Sequence, residues 1–241
     1  MFYNLNLKDI LFLDIETVPQ YPNFEMLSNK EKHLWSKKAS HLISKNETAK
    51  EIYNRAGIYA EFGKIVCIST GFISEQNNKK EFRLKSFFGD DEKQLLISFA
   101  DMLNTHYNKN KHYLCAHNGK EFDYPYIARR MLINGIKLPK ILNISGLKPW
   151  EVKHLDTMDM WRFGDYKSYT SLDLLTAIFN IPTPKDDIDG SMVNKVYYQE
   201  NDLLRIVTYC EKDVLAITQL LLKYRNENLL LNSEIKSVTK G

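Results

Sequence analysis

The order of apolar segments predicts an α/β fold: a mixed five-stranded sheet with helices on both faces and a helical C-terminal part. Three observations point there. Strand-like runs over 10–16, 63–72 and 82–88 follow one another, the last two separated by a polar turn. A short apolar run at 113–116 and a short strand-like stretch at 154–156 then alternate with helical patterns. Beyond about residue 158 the pattern is almost entirely helical. Hairpin-connected strands followed by right-handed crossovers give a mixed sheet covered on both sides.

Each element has its own signal. Ile10-Leu11-Phe12-Leu13-Asp14-Ile15-Glu16 reads as a buried strand that turns polar at its end, with Pro19 and Pro22 expected to stop it. Residues from about 28 to 53, with Leu27 just before them and Leu34, Trp35, Leu42 and Ile43 at roughly helical spacing, predict one or two helices with a solvated basic face. Asn77-Asn78-Lys79-Lys80 suits the turn between the second and third strands. Asp90-Asp91-Glu92 opens a helix running through Leu95, Leu96, Phe99 and Leu103. A helix from about 123 to 134 tolerates Pro125 in its first turn and stops at Gly135. Thr170-Ser171-Leu172-Asp173 resembles a capping box, with Asp in place of Glu or Gln. Helices are expected around 158–163, 172–179, 192–200 and 202–224, and the polar tail from about 226 is expected to fray.

The 241 residues read as one domain, with a core over about 9–225 and a helical insertion at about 28–60. A hydrophobic content of 44% and a charged content of 26% are ordinary for a chain with a real core. The net charge of +3 neither proves nor opposes contact with a polyanion. No apolar run approaches the roughly 20 residues a bilayer span needs. The first residues lack a basic stretch followed by an apolar one, so no signal peptide is expected. Cys67, Cys115 and Cys210 stand far apart in apolar surroundings, as structural thiols do in a reducing cytoplasm, and no C-x-x-C pair suggests zinc. The expected location is therefore cytoplasmic, away from membranes.

Three acidic stretches carry the chemistry. Asp14 and Glu16 are two apart on a strand, so both side chains share one face. Two buried carboxylates there raise each other's pKa unless a cation sits between them. Asp123 follows the fourth strand, where crossover loops place ligands, although N-capping of the next helix would also explain it. Asn118, five residues earlier, suits either a loop brace or a contact to phosphate or base, and Gly119 permits a tight backbone path. Tyr209 and Asp213 lie four apart on one helix face, a spacing that alone fits a half-buried tyrosine and an exposed aspartate. Together the four carboxylates and the phenol form a set suited to two divalent metals and a water against a phosphodiester.

Leu13-Asp14-Ile15-Glu16-Thr17, Asn118-Gly119-Lys120-Glu121-Phe122-Asp123 and Tyr209-Cys210-Glu211-Lys212-Asp213 resemble, in order, the three motifs of the DEDD 3′–5′ exonucleases. The resemblance is nearest to the proofreading domains of family B DNA polymerases and their stand-alone bacterial relatives, and the predicted element order is ribonuclease H-like. Tyrosine four residues before the last aspartate marks the DEDDy branch; the sister branch has histidine where this chain has Thr208. The resemblance implies that Asp14, Glu16, Asp123 and Asp213 bind two Mg²⁺ or Mn²⁺ ions about 3.5–4 Å apart. One ion would activate the attacking water and the other would stabilise the leaving 3′-oxygen. Tyr209 would orient the water, being a poor base with an ordinary pKa near 10. Thr17 would meet the terminal nucleotide through its backbone, and Phe122 would pack beside a base or in the core. The product would be a nucleoside 5′-monophosphate.

The expected activity is therefore 3′–5′ hydrolysis of single-stranded nucleic acid, DNA ahead of RNA. Two alternatives stay open: a 3′–5′ exoribonuclease of the same fold, and a non-catalytic nucleic-acid-binding module. With no polymerase-sized domain among its residues, the protein is expected to act alone in repair or processing, or in trans with a polymerase or repair protein. Weaker candidates remain. Asp156 and Asp159 read first as helix caps. Lys185, in the stiff charged loop 181–191, is a candidate phosphate contact. Lys30, Lys32, Lys37, Lys38, Lys45 and Lys50 are either a nucleic-acid path or a solvated face.

Overall fold

The structure, a computed structural model, describes residues 4–239 except 45, 77–78, 149, 166, 168 and 183–187. Lys185 and Lys45 lie outside the described residues, as does half of the expected turn at 77–80. The sheet is built from β1 (Ile10–Pro19), β2 (Gly63–Gln76), β3 (Lys79–Phe88), β4 (Tyr113–Ala116), β5 (Leu155–Asp156) and β6 (Ile235–Ser237). Their order across the sheet is β5-β4-β1-β2-β3-β6. β1 with β2 and β2 with β3 pair antiparallel, while β1–β4, β4–β5 and β3–β6 are parallel.

The helices are α1 (Asn29–Ala39), α2 (Glu92–His106), α3 (Asp123–Ile133), α4 (Thr157–Arg162), α5 (Leu172–Ile178), α6 (Val193–Lys195) and α7 (Leu203–Tyr224). Alternation along β1 divides the core between two layers. Leu11, Leu13 and Ile15 face α2 and α3, packing with Leu96, Phe99, Ile127 and Met131. Ile10 and Phe12 face the other way, toward Val214, Ile217 and Leu221 of α7. Asp14 and Glu16 continue this second, even-numbered face.

Three expectations need correction. The sheet has six strands rather than five, because the tail pairs Ile235 with Phe82 and Ser237 with Leu84 instead of fraying. The open edge of β3 offers backbone groups that a short strand can satisfy. Glu211 of α7 then accepts from Ser86, Ser237 and Thr239, tying the tail down. β1 runs three residues past Glu16, shifting register between Glu16 and Thr17, and stops at Pro19, where proline was expected to end it. In agreement with the one or two helices expected, the described residues of the insertion hold one α-helix, capped by the reciprocal Ser28–Glu31 box, and a 3₁₀ turn over Tyr53–Ile58. At α5 the cap is Ser171, whose hydroxyl accepts from the Leu174 amide at 3.2 Å, so Thr170 and Asp173 form no box.

The insertion has a small core of its own around Trp35, whose indole donates to Ala49 O at 2.7 Å. Its lysines are largely used internally. Lys50 pairs with Glu25, Lys32 lies over Phe24, and Lys38 lies 4.4 Å from the Tyr59 ring centroid. These contacts favour the solvated face over a nucleic-acid path. Among the described residues no helix is long and apolar enough to cross a membrane.

Candidate active site

β1, α3 and α7 bring the acidic residues together at one place. Asp14 and Glu16 project from the α7 face of β1, and ligand atoms of Asp14, Glu16 and Cys210 all lie within 4.8 Å of one another. Glu16 is buried, while Asp14 keeps part of its surface open. From α7, Cys210 fills the space behind Asp14, and Tyr209 and Asp213 stand on either side of it in sequence. The Tyr209 phenol lies close enough to Asp213 for that carboxylate to oppose its ionisation. Thr208 is exposed and donates to Leu204 O at 2.9 Å, so its hydroxyl is spent on the helix.

Asp123 is the first residue of α3 and is buried, with only 3% of its surface exposed. It does not cap the helix: Phe122 occupies the cap position, without a side-chain cap bond. The loop before it is braced by Asp156. One carboxylate oxygen accepts from the amides of Asn118 and Met158, each at 3.0 Å, and Asp159, at 3.1 Å. The other accepts from the Lys120 amide at 3.0 Å. Asp156 thus caps α4, as its sequence context suggests, and fixes the loop leading to Asp123 as well. Asp159 pairs with Lys120 at 2.8 Å.

Gly119 is required within this loop, since a Cβ there would come 2.5 Å from Ala116 Cβ and 2.8 Å from the Tyr124 ring. Asn118 adopts a left-handed backbone (φ 62°), which asparagine tolerates better than most residues. Its backbone holds the loop, while its side-chain oxygen is buried without a hydrogen-bond partner among the described residues. Phe122 packs against the α2–α3 core and the Tyr126 ring, at 5.3 Å between centroids. Thr17 lies just past the β1 register shift, paired with Ile65, and Tyr126 nearby donates its hydroxyl to Gly57 O at 2.7 Å.

The electrostatics record the convergence. Burial raises Asp14 well above the usual carboxylate range, and the charges of Asp213, Glu16 and Asp123 raise it further. Glu16 is raised by burial and then by Asp213, with Cys67 and Asp123 adding to it. Asp123 is pushed up to about 8 by burial, with Asp156 and Asp213 adding to it while its own amide and that of Ile15 pull the other way. Tyr209 is raised by burial and by the charges of Asp213, Glu16 and Asp14. Like charges gathered in a buried place are the environment a divalent cation relieves.

Sequence reasoning did not single out Cys210, His117 or Tyr169 as parts of this neighbourhood. His117 lies one residue before Asn118, and its ring joins Thr157 Oγ1 and Thr170 O, each at 2.9 Å. Proximity to a motif was the one available signal for Cys210 and His117. The Asp14–Glu16 pair precedes the stretch covered by the family comparison, so its place beside Asp123 and Asp213 rests on the fold. Residues 58–237 match the family described as a predicted 3′–5′ exonuclease related to the exonuclease domain of PolB, and the chain belongs to that family.

Proposed function

We propose that the protein is a metal-dependent 3′–5′ exonuclease that shortens single-stranded DNA from its 3′ end and releases nucleoside 5′-monophosphates. The observation that carries this reading is the convergence of Asp14, Glu16, Asp123 and Asp213: Asp213 raises the pKa of the other three, and Glu16 and Asp123 raise that of Asp14. The relation of the family to the exonuclease domain of PolB supports DNA over RNA.

The four carboxylates fit two hard divalent ions such as Mg²⁺ or Mn²⁺, because the charged donors are all oxygens. When bound, such ions supply the positive charge that activates water and offsets negative charge at the phosphate. The chain supplies the rest. Asp14, Glu16, Asp123 and Asp213 hold the ions and keep a fixed place for the terminal phosphodiester. Tyr209 keeps its proton, because its surroundings raise its pKa, so it orients the attacking water rather than accepting a proton. Water oxygen bonds to phosphorus as the bond to the preceding 3′-oxygen breaks, and that oxygen leaves with a proton.

The test uses single-stranded DNA and RNA labelled at either end, with Mg²⁺, Mn²⁺ or EDTA. Stepwise loss from the 3′ end of DNA, stopped by EDTA and by Asp213→Ala, is the expected result. Faster loss from RNA would move the substrate to the exoribonuclease reading. Binding without shortening in any metal would leave a nucleic-acid-binding module.

A further inference from the structure

A cavity of about 270 Å³ opens at the end of the sheet away from the carboxylates. Its lining comes from 107–110, which lead into β4, and from 140–154, which lead into β5. β1, β4 and β5 run parallel, with Ile10 beside Tyr113, so the cavity sits where these strands begin. Asp14 and Asp123 lie at or beyond the level where β4 ends. The length of β4, roughly 13 Å at about 3.3 Å per residue, separates the two places.

His154 fixes the cavity wall. It is buried, its Nδ1 accepts from the Leu114 amide at 3.3 Å, and its Nε2 bonds to Ile141 O at 2.8 Å, which ties the lining segment to β4. Two ammonium groups are held together in this wall. Lys140 Nζ donates to Asn110 Oδ1 at 3.0 Å, and Lys153 Nζ donates to Asn110 O at 2.7 Å while lying 5.3 Å from the Tyr113 ring centroid. Among the described residues neither ammonium has a carboxylate within ion-pair distance. Glu151, the acidic residue of the lining, accepts instead from the Lys148 amide at 2.8 Å. Burial lowers the Lys153 pKa, and the Lys140 charge lowers it further. Like charges gathered without a counter-charge are relieved by an anion, and each ammonium has donors left after its bond to Asn110. Tyr107 also lines the cavity, is 8% exposed, and its hydroxyl has no hydrogen-bond partner among the described residues.

We infer that this cavity binds a nucleoside 5′-monophosphate, with the phosphate between Lys140 and Lys153 and the base against Ile144 and Leu147. A phosphate monoester carries close to two negative charges near neutral pH, which two ammonium groups match. Ile141, Ile144 and Leu147 supply apolar surface for a flat ring beside the polar groups that fix its orientation, the usual make-up of a small-molecule site. The volume suits a single nucleotide rather than a strand or a folded partner. The choice of nucleotide rests on the exonuclease reading, in which this compound is released at every turnover. The anion site itself rests on the lysine pair.

The test is isothermal titration calorimetry of the whole chain in EDTA, where the unneutralised carboxylates repel a phosphate from their own site. The probes are thymidine 5′-monophosphate, inorganic phosphate and thymidine. Wild type should bind the monophosphate at one site, bind inorganic phosphate more weakly, and give no signal with thymidine. Lys140→Gln and Lys153→Gln should each weaken the monophosphate about tenfold, the scale of one charge-assisted hydrogen bond. Asp213→Ala should bind it as wild type does. Both lysines are exposed, so the glutamine variants should melt with wild type and trim single-stranded DNA with Mg²⁺ at its rate. No saturable binding by wild type, or undiminished binding by both glutamine variants, overturns the site. Binding lost in Asp213→Ala moves the nucleotide to the carboxylates and overturns it too. Equal affinity for inorganic phosphate and the monophosphate overturns the base contact. A chain that trims no DNA yet binds the monophosphate through the lysines overturns the exonuclease reading and upholds the cavity.

Discussion

The thiol of Cys210 donates to the carboxylate of Asp14, with Sγ 3.4 Å from Oδ2, and lies 3.5 Å from the Asp14 carbonyl oxygen. Burial, a hydrogen bond with Cys67 and the nearby negative charges hold the thiol well above its ordinary pKa, so it remains a neutral S–H. Cys210 therefore orients Asp14 without adding charge. Cys210→Ala should raise the Mg²⁺ concentration needed for half-maximal activity roughly fivefold, the scale of one lost hydrogen bond of about 1 kcal/mol. Cys210→Ser keeps a donor and should lose less. A metal titration in which Ala and wild type coincide would show that Asp14 is positioned by β1 alone.

Stability without divalent ions should fall as pH rises. A carboxyl whose pKa is raised in the folded state favours folding while it is protonated. Its contribution is complete below the ordinary value of 3.8 and is lost as pH rises through the folded value, about 8 for Asp123. Asp14 and Glu16 act in the same direction. His154, lowered to about 4 by burial, and His117, also lowered by burial, have the opposite sign and gain stability as pH rises toward 6.5. The fall should therefore be unmasked between about pH 6.5 and about 8. In EDTA, Tm should decline across that window, and saturating Mg²⁺ should remove the decline by binding the ionised cluster. A flat Tm in EDTA would mean that the carboxylates do not share one buried site.

Tyr209→Phe should retain a measurable fraction of activity, whereas Asp213→Ala should retain almost none. The phenol positions water through one hydrogen bond, worth about a factor of ten. The aspartate removes a charged ligand and leaves Asp14 and Glu16 without part of the set they need. Because the phenol of Tyr209 is pushed upward, the pH–rate profiles of wild type and Tyr209→Phe should rise along the same limb. A basic limb present in wild type and missing from Tyr209→Phe would instead make the phenol a titrating group.

What was legible in the sequence was what periodicity controls. Period two along 10–16 places Asp14 and Glu16 on one face, and a four-residue step places Tyr209 and Asp213 on one helix face. The strand at 113–116 and the helix from 123 follow from local apolar runs and match the structure at their starts. What was not legible depends on residues far apart in the chain. The Cys210–Asp14 contact spans 196 positions, and the bond from the Asn118 amide to Asp156 spans 38. β6 is three residues of Ile-Lys-Ser with no strand pattern, and it forms because β3 has an edge to fill. Phe163 and Tyr169 have ordinary sequence surroundings, and their exposure appears only once the turn after α4 is folded.

The position of Asp123 also depends on a buried ion pair at the far end of its helix. Arg130 of α3 grips Glu92 of α2 with two bonds, Nε to Oε1 at 2.8 Å and Nη2 to Oε2 at 2.5 Å. Glu92 Oε1 also accepts from the Ile65 amide at 2.7 Å, and Arg130 Nη1 donates to Ala60 O at 2.8 Å. The pair therefore joins α2, α3, β2 and the end of the insertion. Removing one partner leaves the other charge buried and unpaired, a cost of about 3–5 kcal/mol. For a chain of this size that corresponds to a Tm lower by about 10 °C in Arg130→Ala. Arg130→Lys should recover little, because one ammonium cannot reproduce the planar fork. The pair Glu92→Leu with Arg130→Met should melt higher than either single Ala variant, since no charge is then stranded. Activity measured well below the melting point should also drop in Arg130→Ala, because α3 carries Asp123 at its first residue. An Arg130→Ala protein with wild-type Tm would place the stability of this layer in the apolar contacts of α2 and α3 alone.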